Sequence, residues 1–287
     1  MKRNVLITGC SSGVGMAVAI AFAKFNFKVY ASMRNLEKQG PLQEAIEKEN
    51  LSIQILQLDV TEQVSVAAAV NEVISADGKI DILINNAGAG FARTTEQSTE
   101  EDMKWVTDVN YFGVVRCTKA VLPHMRKAKA GHIINITSVG GLVGQPFNEF
   151  YCAAKFAVEG YTEALASYVG STFGIHFSLI EPGGIKTPFM NSAIGKTMKD
   201  GKLCDGEYED IFNRYLTAAK TRSEADNGAV YQSAEQVATV IVDVANQKDP
   251  PLRTRTSEWS ENFCSNKTSA DPDGKRLLND VVSRFLS

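Results

Sequence analysis

"LITGCSSGVGMAVA" (Leu6–Ala19) sets Gly9, Gly13 and Gly15 between a short apolar run and a stretch of small apolar residues at helical spacing. Glycine lets a chain turn sharply and approach a bound group without a side-chain clash. A helix starting at such a turn offers unbonded N–H groups and the positive end of its dipole, which suits a pyrophosphate. The spacing, GxxxGxG, is a variant of the dinucleotide-binding turn, and its strand-before, helix-after setting gives it meaning.

Working outward, short runs rich in Val, Ile and Leu recur at 4–8, 28–32, 52–58, 80–86, 131–138 and 175–181. They show little polar–apolar alternation, as expected of strands buried on both faces of a parallel sheet. Helix-length segments lie between them, at 13–25, 41–49, 62–76, 99–127 and 150–172. This alternation predicts an α/β fold of Rossmann type, a doubly wound parallel sheet with helices on both faces. Beyond Pro182 the pattern loosens into a glycine-containing stretch, 183–207. Helices are expected near 208–221 and 233–247, a last strand near 251–257, and a helical tail beyond 271–274. No linker or internal repeat interrupts the chain. The reading is therefore one domain over 1–287, with a substrate loop or lid at about 183–230 and a C-terminal extension at about 258–287.

The net charge of −3 and the absence of a basic stripe argue against a nucleic-acid partner. Cys10, Cys117, Cys152, Cys204 and Cys264 are scattered without a CxxC, so reduced thiols are expected. Cys152 reads as a packing residue. His124, His132 and His176 have no partners at metal or triad spacing, and no metal is expected. The four apolar residues before Thr8 are too few for a signal core or a membrane span, so the expected location is cytoplasmic.

Dinucleotide folds that select NAD often carry an acid at the end of the second strand. Here that strand runs into Met33 and Arg34. A guanidinium grips a 2′-phosphate where a carboxylate would repel it, so NADP(H) is expected over NAD(H), with Ser11 and Ser12 as further donors.

"YCAAK" places Tyr151 and Lys155 four residues apart, one helical turn along the same face. Together with "TGCSSGVG", "NNAG" (85–88), Ser138 and "PGG" (182–184), it stands in the order and at the separations of the short-chain dehydrogenase/reductases. The chain resembles the compact branch of that family over roughly residues 1–190. "KVYASMRNL", "FSLIEPG" and "PPLR" further resemble its hydroxysteroid and retinol dehydrogenase group. The resemblance implies that Gly9, Ser11, Ser12, Gly13, Val14 and Gly15 hold the pyrophosphate and nearby ribose, with Arg34 at the 2′-phosphate. It implies that Asp59 and Val60 flank the adenine and that Asn86, Ala87 and Gly88 line the wall beside the cofactor. Pro182, Gly183, Ile185 and Thr187 would lie near the nicotinamide, and Tyr151 and Lys155 would also touch the cofactor. Asn110, Ser138, Tyr151 and Lys155 would form a catalytic tetrad, with Asn110 holding a water that links the lysine to solvent.

The chemistry fits these residue types. Reducing a carbonyl requires an acid near its oxygen while hydride reaches the carbon. Free tyrosine, with a pKa of roughly 10, is sluggish near neutrality. An ammonium about 4–5 Å from a phenolate contributes on the order of 3–4 kcal/mol at an effective dielectric of 20, which is expected to bring Tyr151 toward 7. The Ser138 hydroxyl would hold the substrate oxygen.

Val139, Leu142, Val143, Phe147, Phe189 and Met190 are expected to wall an apolar pocket, favouring a bulky ketone or alcohol over a charged acid. Helix 150–172 has apolar residues on more than one face, and the family commonly forms dimers or tetramers, so a homodimer or homotetramer is expected. The expected activity is NADP(H)-dependent carbonyl reduction or alcohol oxidation. An NAD-dependent alcohol dehydrogenase, or a regulator or scaffold that senses dinucleotide without turnover, is the alternative. The intact Ser–Tyr–Lys set speaks against the scaffold. Dehydration or epimerisation on the same scaffold fits the compact length less well.

Overall fold

The computed structural model describes residues 2–187, 189, 204–224 and 230–286. Strands β1 (Asn4–Ile7), β2 (Lys28–Met33), β3 (Ile53–Gln57), β4 (Ile82–Asn85), β5 (Gly131–Ile136) and β6 (Ile175–Glu181) build the sheet. The pair β7 (Gly184–Ile185) and β8 (Tyr231–Gln232) stands apart from it, and β9 (Arg253–Arg255) adds its last strand. The large sheet has seven parallel strands in the order β3-β2-β1-β4-β5-β6-β9. Strand order reverses between β1 and β4, and open α/β sheets bind ligands in the crevice beyond the strand ends at such a point.

Both faces of the sheet are covered. Leu6, Tyr30, Leu83 and Ile133 point to one core, shared with α3 (Gln63–Asp77), α5 (Gly113–Ala128) and α6 (Glu149–Leu165). Val5, Ile7, Val29, Ile82, Ile84 and Ile134 point to the other, against α1 (Gly13–Lys24), α2 (Gly40–Glu49) and α8 (Ala234–Asn246). Successive strand residues feed opposite cores, so each strand must be apolar throughout.

The expected helix 99–127 divides. A Thr99–Asp102 capping box starts α4 (Glu100–Thr107), a π-turn spans Asp108–Phe112, and α5 continues the rod. Likewise α6 ends in a π-turn at Ala166–Gly170, followed by a last turn at Ser171–Phe173. Of the expected lid, residues 188, 190–203 and 225–229 lie outside the described residues. The rest holds β7, Phe189, α7 (Glu209–Glu224) and β8. The tail contains α9 (Glu258–Thr268), which the sequence did not predict, before α10 (Lys275–Leu286). The buried stripe of α9 is Ser260, Cys264 and Thr268, small and mostly polar, so hydrophobic periodicity does not reveal it. Among the described residues no helix is long and apolar enough to cross a membrane.

Candidate active site

Gly9 and Gly13 have φ of +76° and +58°, in the left-handed region that glycine adopts without strain. A methyl group on Gly15 would fall 2.3 Å from the Gly9 carbonyl oxygen and 2.4 Å from Asn86 Nδ2. The turn is therefore closed to any larger residue. Ser12 is the N-cap of α1, yet its hydroxyl makes no capping bond, which leaves it and the first-turn N–H groups to face an anion. Ser11 is half-buried, and the Val14 side chain packs on the core, so only the Val14 backbone can serve a ligand.

The neighbouring strand end holds the turn in place. Asn86 Nδ2 donates to the carbonyls of Thr8 (2.8 Å) and Gly9 (3.1 Å), while the N–H groups of Asn86 and Ala87 both donate to Thr8 Oγ1 at 3.0 Å. A Cβ on Gly9 would meet Ala87 Cα at 2.8 Å. Asn86 thus staples the glycine turn with its own side chain, and Thr8, which motif reading passed over, is the other half of the staple.

At the adenosine end, Arg34 is exposed, with Nε 3.9 Å from Asp59 Oδ2. Asp59 Oδ1 accepts from Thr61 N–H (3.0 Å) and Oγ1 (2.7 Å). Val60 is buried, and its side chain lies where a Cβ on Gly113 would come within 2.8 Å of it. From the opposite side, Gly13 faces Thr187, whose Cβ would stand 3.5 Å from a Cβ on the glycine. Pro182 accepts from the Val139 N–H at 2.9 Å, and Ile185 lies in β7 opposite Gln232. A Cβ on Gly183 would meet Ser260 Oγ and Trp259 Cε3, each at 2.9 Å, so α9 forms the back of this segment.

Beyond β5, Ser138 caps a short 3₁₀ turn at Val139–Gly141, its Oγ accepting from Gly140 N–H at 3.0 Å. Tyr151 and Lys155 occupy the first two turns of α6, with Lys155 Nζ 5.8 Å from the centre of the Tyr151 ring. Lys155 is buried and donates to the Ile136 carbonyl at 2.9 Å. A Cβ on Gly88 would sit 3.0 Å from Asn110 Oδ1 and 3.7 Å from Lys155 Nζ, which puts the amide and the ammonium beside the same glycine. Asn110 is fully buried in the π-turn. Its Nδ2 donates to the carbonyls of Ala89 and Val106, each at 2.8 Å, and its Oδ1 accepts from Ala89 N–H at 3.1 Å. Ser138, Tyr151, Lys155 and Asn110 thus converge at the carboxyl end of the sheet, next to the glycine turn.

The electrostatics run opposite to the sequence expectation. Burial pushes the Tyr151 phenol up to about 12, opposed by its hydrogen bond with Ser138, rather than down toward 7. Burial lowers Lys155 to about 8, opposed by the charge of Glu159. Desolvation is the largest cause of both shifts, and the Lys155 ammonium donates to the Ile136 carbonyl.

The expected pocket wall is divided as well. Val139 and Leu142 are buried against Cys264, with Val143 and Trp259 alongside. Phe147 packs on Phe212 and Tyr215, ring centres 4.7 and 5.3 Å away, beside Cys204. Among the described residues of this set, Phe189 packs against the tyrosine, its ring centre 6.0 Å from that of Tyr151. Met190 lies outside the described residues.

Residues 3–198 match the model of the short chain dehydrogenase family. The chain belongs to that family. This short-chain dehydrogenase is 40% identical to 17-beta-hydroxysteroid dehydrogenase type 1 of Homo sapiens over 265 residues, covering 90% of this chain and 78% of the relative. It is 40% identical to retinol dehydrogenase 8 of Bos taurus over 261 residues, 89% of this chain and 81% of the relative. The solved structure of ElxO with NADP bound is 27% identical, with a TM-score of 0.76 over 91% of this chain and 100% of the other. The short-chain dehydrogenase is thus an oxidoreductase on a Rossmann-type domain, and the glycine cradle that a Cβ would fill suits a nicotinamide dinucleotide.

Residues that motif reading did not find surround this set. Arg253 Nη2 reaches Glu159 (3.3 Å) and Glu163 (2.6 Å), and its Nε reaches Glu181 (3.3 Å). Arg255 bridges Glu181 (3.1 Å) and Glu261 (2.7 Å). Burial, with the charge of Glu181, holds the Glu159 carboxyl well above the usual carboxylate range despite Arg253. The available signal was the "RTR" of 253–255, whose alternation points both arginines to one face of the strand.

Proposed function

We propose that the protein interconverts a bulky apolar ketone or aldehyde and its alcohol, using NADP(H) in preference to NAD(H). The convergence of Ser138, Tyr151, Lys155 and Asn110 beside the glycine turn carries this reading. The bound nicotinamide supplies the hydride in reduction and accepts it in oxidation. Gly9, Ser11, Ser12, Gly13 and Gly15 would hold its pyrophosphate, Arg34 the 2′-phosphate, and Lys155 the ribose. Tyr151 gives its hydroxyl proton to the substrate oxygen in reduction and recovers it in oxidation. A phenol at about 12 is protonated at neutral pH and ready to donate. Ser138 hydrogen-bonds the same oxygen, lowering the cost of the developing alkoxide. The Lys155 ammonium stabilises the phenolate left behind, and Asn110 holds the backbone open beside it for a relay water. The hydroxysteroid and retinol dehydrogenases among the relatives are named for large apolar alcohols, which supports that substrate class.

Exposed Phe112, Phe156 and Tyr168 lie at the start of α5 and along α6 and its π-turn extension. We assign this face to a subunit contact in a homodimer or homotetramer.

The test is oxidation of NADPH and of NADH against a panel of bulky ketones. Turnover is expected, faster with NADPH at low cofactor concentration, and Tyr151→Phe is expected to lose about 10²-fold or more in kcat while cofactor affinity stays within about twofold. Undiminished activity in that variant would remove Tyr151 from the chemistry. Equal use of the two cofactors would remove the assignment of Arg34.

A further inference from the structure

The loop that follows β4 passes through Gly88, where a Cβ would meet Asn110 and Lys155. Phe91 is buried with its ring centre 6.1 Å from that of Phe150, the residue before Tyr151. Two positions on, Arg93 N–H donates to the Phe147 carbonyl at 2.9 Å. Phe147 has φ of 62°, a conformation that a bulky residue adopts only when its surroundings enforce it. The loop is fastened further by Thr94, whose Oγ1 accepts from Gln97 N–H (3.2 Å) and whose carbonyl accepts from Ser98 Oγ (2.7 Å).

The Arg93 side chain is 8% exposed, and its buried Nε and Nη1 have no hydrogen-bond acceptor. No carboxylate among the described residues comes within 4 Å of it. The nearby Asp205 carboxylate is engaged by Gln97 Nε2 at 2.7 Å. A guanidinium keeps its charge at every physiological pH, and burying it without a partner is unfavourable. Such a group, on the loop that runs on from Gly88, has the character of a receptor for an anion. The 2′-phosphate is not that anion, because Arg34 and Asp59 lie at the ends of β2 and β3, on the other side of the glycine turn. Arg93 lies on the loop that packs on the start of α6, with its backbone bonded to Phe147 and its charge acting on the Cys204 thiol.

We propose that Arg93 binds a carboxylate at the far end of the substrate, so that the natural substrate is an apolar ketone or alcohol carrying a terminal acid. The planar guanidinium matches a carboxylate through two parallel N–H···O bonds. This rests on the carbonyl–alcohol reading above and narrows its substrate class.

The probes are para-acetylbenzoate, its biphenyl homologue and a long-chain ketostearate, each beside its neutral methyl ester. For at least one pair the acid is expected to exceed the ester in kcat/KM by about 10- to 100-fold. Arg93→Gln should erase that preference by raising KM with kcat little changed, and Arg93→Lys should retain part of it. Equal treatment of acid and ester in every pair, or equal losses for both in Arg93→Gln, would overturn the proposal. Binding of the same probes to Tyr151→Phe with NADPH, followed by calorimetry, separates this failure from that of the reaction itself. Acid-selective binding that vanishes in the Tyr151→Phe, Arg93→Gln double variant upholds the anion site even if no probe turns over. Binding without that selectivity, or no binding of any acid, sinks it.

Discussion

Lys155 shows how one side chain can serve two demands. Its ammonium is buried on the Ile136 carbonyl, and the same burial that fixes its position brings its pKa down to about 8. The protonated form therefore dominates at neutral pH and is lost as pH rises through about 8. If the ammonium must be charged to stabilise the phenolate of Tyr151, kcat/KM for ketone reduction should fall above pH of about 8. The Glu159 charge holds the lysine up, so above the pH at which that raised carboxyl ionises Glu159→Gln should move this alkaline limb to lower pH. A pH profile of NADPH oxidation checks both points, and a limb that moves upward in Glu159→Gln would contradict the sign. The tyrosine poses a complementary constraint. If Tyr151 is the proton donor of the proposed reaction, a phenol at about 12 has it ready for reduction, whereas oxidation would need the phenolate and should favour more alkaline conditions.

At the scale of the element, the rod from α4 to α5 depends on one amide. Asn110 replaces regular helical bonding with contacts to Ala89 and Val106, producing the π-turn at Asp108–Phe112 and tying the loop after β4 to the helix. π-turns of this kind recur at functional sites because they re-aim side chains and backbone groups without ending a helix. Asn110→Ala strands buried carbonyls and an N–H, each costing about 1–3 kcal/mol. The variant should lose roughly 2–4 kcal/mol of unfolding free energy in urea, together with most of its turnover. A loss under about 1 kcal/mol would mean that the loop and the π-turn do not depend on this side chain. The start of α6 is set differently, by Phe147 in its left-handed conformation and by the aromatic packing of Phe212 and Tyr215 from α7.

At the scale of the molecule, the C-terminal segment is fastened to α6 by charge. Arg253 and Arg255 on β9 clasp Glu159 and Glu163 of α6, Glu181 of β6 and Glu261 of α9. Arg253→Met leaves two buried carboxyls without their main counter-charge and should cost about 3–5 kcal/mol near neutral pH. The pH dependence has a definite sign. Both Glu159 and Glu181 are already raised by burial, and losing Arg253 raises them further. Their protonation favours the folded form, so the deficit should shrink as pH falls toward the ordinary carboxylate range. Urea unfolding at two pH values measures this, and a deficit that grows on acidification would refute it. Light scattering after gel filtration tests the proposed subunit contact, for which a dimer or tetramer is expected. A monomer at micromolar concentration would leave Phe112, Phe156 and Tyr168 to another purpose.

By itself the sequence determined the fold class, the glycine turn, the order of strands and helices as far as β6, and membership of a recognisable family. These are legible because they rest on local properties: apolar runs buried on both faces, glycines where only glycine fits, and motif residues at set separations. The Tyr151–Lys155 pair could be placed on one helix face for the same reason. Tertiary structure alone decided the rest. It put Val139 and Leu142 against α9 and Phe147 against α7. It buried Arg93 without a partner, and it reversed the expected pKa shift of Tyr151. Each of these depends on which distant segments cover a side chain and on how much water they exclude. Spacing along the chain carries neither quantity, since desolvation belongs to the folded surroundings rather than to the residue.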